Sequence, residues 1–72
     1  MVAIKSIIKE INDPNLKLYR GEGYLYFVYD NPEKNVYETE SVYVNRLNEL
    51  SLETWVSIGK EFVENISKEI TS

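Results

Sequence analysis

The stretch Gly21-Glu22-Gly23-Tyr24-Leu25-Tyr26-Phe27-Val28-Tyr29 decides the fold, because every position after Gly23 is apolar or aromatic. An unbroken run of this kind is typical of a central strand covered on both faces, or of one whose second face is an aromatic surface. We therefore predict a strand over residues 24–29, and we expect the glycines in front of it to form a turn.

The residues before the glycines alternate in polarity and predict a first strand over residues 16–20. A type II′ turn at Gly21-Glu22 would pair Tyr19 with Tyr24, and the pairing would continue along both strands away from the turn. One face would then be aliphatic and the other polar and aromatic, because side chains alternate across a strand. The predicted inner residues of the hairpin are Leu16, Leu18, Leu25 and Phe27, and the predicted outer residues are Lys17, Tyr19, Tyr24 and Tyr26.

A third strand is predicted over residues 41–44, after a turn-rich segment at residues 30–35 and a return through residues 36–40. Its register should place Val42 opposite Phe27, Val44 opposite Leu25 and Tyr43 opposite Tyr26. This pairing keeps the aliphatic face and the aromatic face separate.

Two amphipathic helices flank the strands. Residues 2–12 are apolar at helical spacing, and Pro14 ends that helix. Ser51 is a good N-cap for the last helix, and Gly59 on its apolar stripe implies close approach to the sheet or to the first helix. The first stripe is Ile4, Ile7, Ile8 and Ile11, and the second is Leu52, Trp55, Val56, Gly59, Phe62, Val63, Ile66 and Ile70.

These elements predict one α+β domain over residues 1–72, in the order α-β-β-β-α. The three strands should form an antiparallel sheet with both helices packed on its aliphatic face. Trp55 is expected to anchor the core.

The composition of the chain excludes several kinds of functional site. The 72 residues contain no cysteine and no histidine, which removes disulfides, Cys/His zinc sites, thiol nucleophiles and the usual general base. The net charge of −4 argues against a general nucleic-acid binder. No stretch is long enough to span a bilayer, and the N-terminus does not have the pattern of a signal peptide. We expect a cytoplasmic, non-enzymatic protein without a cofactor or a metal, and a chain this short favours association with itself or with a partner.

The predicted aromatic face is the first candidate binding surface. Clustered exposed tyrosines favour protein recognition, since each buries a large area and keeps a hydroxyl for hydrogen bonding. Two plainer explanations stand beside this one: tyrosine is a good strand former, and the last helix could cover this face. Stacking of single-stranded nucleic acid, with Lys17 and Arg20 nearby, is a further alternative. The candidate residues are Tyr19, Tyr24, Tyr26 and Tyr43.

The second candidate surface is an acidic loop spanning residues 30–40. Its carboxylates could imitate phosphates and occupy a basic groove on a nucleic-acid-handling enzyme. Their spacing does not match an EF-hand calcium loop, and a solvated charged loop is the ordinary alternative. The candidate residues are Asp30, Glu33, Glu38 and Glu40.

Two strings of this sequence resemble a family of small uncharacterised proteins carried by plasmids, phages and other mobile elements. They are GEGYLYF at residues 21–27 and SVYVNRLNELSLETW at residues 41–55. The resemblance covers about residues 16–56 and implies no catalytic residue. It implies a protein that acts against host defence by binding a host protein. With the predicted aromatic face, the acidic balance and the lack of catalytic residue types, this leads us to expect an inhibitor of a host defence nuclease complex, of the anti-CRISPR or anti-restriction type. A structural homodimer and a single-stranded nucleic-acid-binding accessory protein are the alternatives.

Overall fold

The computed structural model describes the backbone of residues 2–71 and the side chains of residues 2–69. Its elements, in chain order, are α1 (Ile4–Ile11), β1 (Leu16–Arg20), β2 (Leu25–Asn31), β3 (Val36–Val42), a 3₁₀ turn (Leu47–Glu49) and α2 (Leu52–Thr71). The strands form one antiparallel sheet in the order β1-β2-β3, so the predicted α+β fold is confirmed. The predicted stripe residue Ile70 lies outside the described side chains.

The first hairpin turns one residue later than predicted. Tyr19 pairs with Tyr26 and Leu18 with Phe27, a shift of two positions along β2. The turn is centred on Glu22-Gly23, where Gly23 has a φ of +75° and the Gly21 N–H donates to the Tyr24 carbonyl oxygen over 2.9 Å. Because the shift is even, every side chain stays on the face predicted for it.

The second hairpin shows the same kind of displacement. Leu25 pairs with Val42 and Phe27 with Glu40, where Val42 was predicted opposite Phe27. The chain reverses at residues 32–35, where the Asn35 N–H donates to the Pro32 carbonyl oxygen over 3.3 Å. The third strand therefore runs over Val36–Val42, and the prediction of residues 41–44 was wrong. Val44 and Tyr43 lie beyond its end.

The helices pack on the sheet face that carries Leu18, Leu25 and Phe27, called here the inner face. The Phe27 ring contacts Trp55 edge-on at a centroid distance of 6.1 Å, and it lies 6.3 Å from the Phe62 ring. Trp55 is fully buried, and its Nε1 donates to the Leu47 carbonyl oxygen over 2.8 Å. The prediction that Trp55 anchors the core is confirmed. The buried core comprises Ile7, Ile11, Leu16, Leu18, Leu25, Phe27, Tyr29, Leu47, Trp55, Phe62 and Ile66.

Gly59 lies where α2 crosses α1 and the sheet. A Cβ placed on it would overlap Ile11 Cδ1 and would lie 3.2 Å from Phe27 Cε1. The predicted close approach is therefore confirmed, and it involves both the first helix and the sheet. Glycine at this point lets the two helices and β2 share one core.

The helix ends follow the predicted capping residues. The Ser51 hydroxyl accepts a hydrogen bond from the Thr54 N–H over 3.2 Å, as an N-cap should. Asn12 ends α1 in the left-handed conformation, with φ +57°, and its N–H donates to the Ile8 carbonyl oxygen over 3.0 Å. The stripe of α1 is less completely buried than predicted: Ile7 and Ile11 are buried, whereas Ile4 and Ile8 remain half-exposed.

Candidate functional site

The sheet face opposite the helices, called here the outer face, is formed by alternate residues of all three strands. The observed register places Tyr19 beside Tyr26, Lys17 beside Val28 and Asp30 beside Tyr37. In β1 and β2 the residues on this face alternate with residues that point into the core, as side chains along a strand do. The strand residues on this face are Lys17, Tyr19, Tyr26, Val28, Asp30, Tyr37, Thr39 and Ser41.

The four tyrosines selected from the sequence form one continuous row of rings. The centroid of Tyr19 lies 5.7 Å from that of Tyr26, which lies 5.8 Å from that of Tyr24. The Tyr24 centroid lies 6.3 Å from that of Tyr43. All three distances fall within the range of favourable aromatic pairs. These residues, Tyr19, Tyr24, Tyr26 and Tyr43, are called the tyrosine face below.

Two members of this row, Tyr24 and Tyr43, lie at other places in the fold than predicted. Tyr24 was expected in a strand opposite Tyr19, but it belongs to the turn region, and its ring lies over Gly21. A Cβ on Gly21 would come within 2.5 Å of the Tyr24 Cζ atom. Tyr43 was expected opposite Tyr26, but it lies after β3 and reaches Tyr24 instead. The turn glycine therefore makes room for the ring that joins the strand tyrosines to Tyr43.

The tyrosine face is accessible rather than covered. Tyr43 is 84% exposed and Tyr19 is 44% exposed, while Tyr24 and Tyr26 are half-buried against their neighbours. The last helix packs through Trp55 on the inner face, so the alternative in which it covers the tyrosines is wrong. A contiguous aromatic surface on a small protein is typical of an interaction site.

A shallow groove of about 310 Å³ continues the tyrosine face across β1, β2 and β3. Val28 is 7% exposed, and Tyr37, which stands beside the groove, is 66% exposed. Lys17 and Asp30 also line it, so it carries one charge of each sign. Sequence analysis missed Tyr37 because it placed residues 36–40 before the third strand. The alternation of Tyr37, Thr39 and Ser41 was the signal that could have found it.

The acidic residues do not form the single loop that was predicted. Asp30 lies in β2 on the outer face, and Glu33 lies in the turn after it. Glu38 and Glu40 lie in β3 opposite Tyr29 and Phe27, on the inner side of the sheet. Both are exposed, because β3 is an edge strand that the helices do not cover. The difference follows from the longer β3: alternation along this strand puts Glu38 and Glu40 on the inner side, and Tyr37 and Thr39 on the outer face.

The chemical groups of the outer face follow from these residues. Phenol rings and hydroxyl groups dominate it, with Lys17 and Asp30 as its charged groups. Among the described side chains, no three His, Cys, Asp or Glu residues are close enough together to hold a metal ion. Within residues 2–71, no helix is both long enough and apolar enough to cross a membrane.

No protein-family model, no curated protein and no solved structure matches this chain. The function is therefore inferred from the surface that the fold builds.

Proposed function

We propose that this chain is a non-enzymatic protein-binding module whose tyrosine face docks onto a partner protein. One observation carries the proposal: four tyrosines, from β1, the first turn, β2 and the segment after β3, join ring to ring on the uncovered side of the sheet. Tyrosine suits this role because it contributes a large contact area with few torsions to order, and its hydroxyl can meet a polar partner group.

A protein partner fits this surface better than single-stranded nucleic acid does. Strand binders combine stacked aromatics with a positively charged track for the phosphates. Here Lys17 shares its groove with Asp30, so the local charges offset each other. The net charge of −4 also opposes the approach of a polyanion. The expected affinity for an oligonucleotide is accordingly low.

We further propose that the partner is a host nucleic-acid-handling enzyme and that docking inhibits it. The acidic balance supports this class, because a negative protein is steered towards the positive surface on which such an enzyme binds nucleic acid. The carboxylates of Asp30, which lines the groove, and of Glu33, in the turn after β2, are both exposed and available to such a surface. Adding the purified protein to defence nuclease complexes and measuring DNA cleavage tests this class directly.

The general proposal is tested by quantitative affinity capture from host lysate. The wild type is compared with a Tyr19→Ser/Tyr43→Ser variant, which removes two exposed rings, and with a Lys60→Ser/Glu61→Ser control on the exposed side of α2. We expect a protein that the wild type and the control retain equally and that the tyrosine variant loses at least tenfold. Equal capture by all three proteins would contradict the proposal.

Self-association is the second candidate, favoured by the exposure of Tyr43 on a chain of only 8.4 kDa. A homodimer would bury the tyrosine face against its own copy. Sedimentation velocity at increasing protein concentration separates the two functions. A dimer that Tyr19→Ser/Tyr43→Ser converts to a monomer would replace the partner-binding proposal with this one.

A further inference from the structure

The edge strand β3 is open to solvent along its length. It pairs with β2 on one side, because the strand order is β1-β2-β3. Residues 37–41 are all exposed, and Tyr37 is 66% exposed. At the opposite edge of the sheet, Leu16 and Leu18 of β1 are buried. β3 is therefore the edge that a strand from outside can reach.

Alternate backbone groups of β3 point away from the sheet. The Asp30 N–H donates to the Asn15 carbonyl oxygen over 3.0 Å, so the even-numbered residues of β2 use their backbone groups on the β1 side. The odd-numbered residues of β2 must then bond to β3, where the register pairs each of them with an even-numbered residue. This leaves outward-facing N–H and C=O groups on the odd-numbered residues of β3, which are Tyr37, Thr39 and Ser41.

No other described segment occupies these outward-facing groups. Outside the pairing of the strands, the backbone hydrogen bonds within residues 2–71 join turns and helix ends, and none involves residue 37, 39 or 41. The chain turns at the end of β3, where the Val44 N–H donates to the Val42 carbonyl oxygen over 2.9 Å. The backbone groups of this edge are therefore available to a strand from another molecule.

The inner side of the β3 edge is acidic. Glu38 and Glu40 alternate with the three outward-facing residues, and both are exposed. Neither forms a salt bridge with a described side chain, and the basic residue nearest to them in sequence, Lys34, lies in the turn before β3. The alternate side chains of β3 carry hydroxyl groups. An added strand would therefore meet two carboxylates on one of its faces and hydroxyl groups on the other.

We propose that the β3 edge binds an extended basic segment of a partner protein, which adds to the sheet as a fourth strand antiparallel to β3. The backbone of this segment hydrogen-bonds to Tyr37, Thr39 and Ser41. Its lysine or arginine side chains lie opposite Glu38 and Glu40, where pairs of opposite charge stabilise a cross-strand contact. Its alternate side chains extend the outer face of the sheet.

A second copy of this chain fits the β3 edge less well than a basic segment does. Antiparallel pairing of two β3 strands about Thr39 would put Glu38 of each copy opposite Glu40 of the other. Like charges directly opposite each other destabilise a pair of strands, and charges on edge strands commonly prevent such pairing. The same two carboxylates therefore disfavour copies of this chain and select a basic strand.

The test uses a fluorescein-labelled peptide of about nine residues in which threonine and lysine alternate, long enough to span the seven residues of β3. Fluorescence anisotropy measures its binding to the full chain. We expect saturable binding that weakens with added salt, because charge pairs contribute to it. A peptide with glutamate in place of lysine should bind at least tenfold more weakly.

Methylation of single backbone nitrogens in the peptide tests the strand pairing itself. In the proposed arrangement the threonine N–H groups face β3 and the lysine N–H groups face solvent, because hydrogen-bonded positions alternate. N-methylation of the central threonine should weaken binding at least tenfold. N-methylation of the lysine next to it is the matched control and should weaken binding less than threefold.

Two charge variants of the protein separate local from general effects. Glu38→Gln/Glu40→Gln should weaken binding at least tenfold. Glu10→Gln/Glu61→Gln, which changes the net charge equally at exposed helical sites, should change it less than twofold. The Tyr19→Ser/Tyr43→Ser variant should bind the peptide as the wild type does, so this proposal and the tyrosine-face proposal can fail separately.

Hydrogen exchange provides a residue-level readout. Bound peptide should slow exchange of the amides of Tyr37, Thr39 and Ser41 at least tenfold. The amides of Glu38 and Glu40 bond to β2 in the free protein and should change much less.

Four results would each overturn the proposal. They are the absence of binding at millimolar peptide, equal loss in the two charge variants, equal effects of the two N-methylated peptides, and exchange rates that show no alternation along β3. Sedimentation supplies a further check: if the chain alone forms a dimer in which the three outward amides are already protected, the edge binds a second copy and the basic-segment proposal is wrong.

Discussion

Two glycines of this chain, Gly21 and Gly59, lie where other side chains need space, and Gly59 is the clearer case. In an exposed helix, replacing glycine with alanine stabilises the helix by about 1 kcal/mol. Here the new Cβ would overlap Ile11 Cδ1 and press on Phe27. Overpacking of this kind costs about 1–3 kcal/mol, and most of this range exceeds the helical gain.

We therefore expect Gly59→Ala to lower the free energy of unfolding, measured by urea denaturation. Ser57→Ala, an exposed change two residues earlier in α2, is the control and should be neutral or slightly stabilising. Ile11→Val removes the overlapping Cδ1 atom, so the double variant should lose less stability than the two single changes added together. A Gly59→Ala variant more stable than the wild type would contradict the packing described here.

Gly21 and Gly23 are both in the first turn, but they are required for different reasons. Gly23 has a φ of +75°, so Gly23→Ala should cost about 1–2 kcal/mol through backbone strain. Gly21 has no such φ, and its Cβ would instead meet the Tyr24 ring. Gly21→Ala should keep most of the stability while shifting the Tyr24 ring-proton NMR signals. Unchanged Tyr24 signals would show that the ring does not lie over Gly21.

The segment between β3 and α2 is held by Glu49. Its carboxylate accepts hydrogen bonds from the Asn45 N–H over 2.5 Å and from the Arg46 N–H over 2.8 Å. The same 3₁₀ turn supplies the Leu47 carbonyl oxygen that receives the Trp55 Nε1–H. Glu49 thus fixes the short turn on which the buried tryptophan depends. The contact between Glu49 and Arg46 runs through the Arg46 backbone N–H.

Removing the Glu49 carboxylate should therefore loosen this turn. We expect Glu49→Ala to lower the free energy of unfolding by about 1 kcal/mol, a modest value because the group is exposed to water. Glu53→Ala is the matched control, since Glu53 lies in the first turn of α2 without such contacts. Equal effects of the two changes in urea denaturation would show that Glu49 acts only through its charge near α2.

The strands show how far sequence patterns determine pairing. Alternation fixed which side chains share a face, and the structure agrees with that prediction for both hairpins. The predicted pairing partners were wrong by two positions. The face pattern could not reveal this error, because moving a two-residue turn by one residue leaves every side chain on the same face. The competition between Gly21 and Gly23 for the left-handed position could not be decided from composition alone. The pairing register of the hairpin could be assigned only from the geometry of the turn.

Across the whole molecule, the order of elements and the two-sided sheet were predictable from hydrophobic periodicity. The candidate surface was predictable in part: the tyrosines follow from alternation, but the contact of Tyr24 with Tyr43 depends on a turn and on the end of β3. The separation of Glu38 and Glu40 from the outer face was missed because the true length of β3 was not apparent. The half-burial of Ile4 and Ile8 was also missed, since it depends on where α1 rests on the sheet.

The most direct test of the account is site-specific photo-crosslinking in host lysate. A benzophenone side chain replaces Tyr43, which is 84% exposed on the tyrosine face, or in a parallel sample replaces the exposed Glu61 on α2. The account predicts a discrete crosslinked protein from position 43 and none from position 61. A partner captured from position 61 with nothing captured from position 43 would show that the protein does not bind through its tyrosine face.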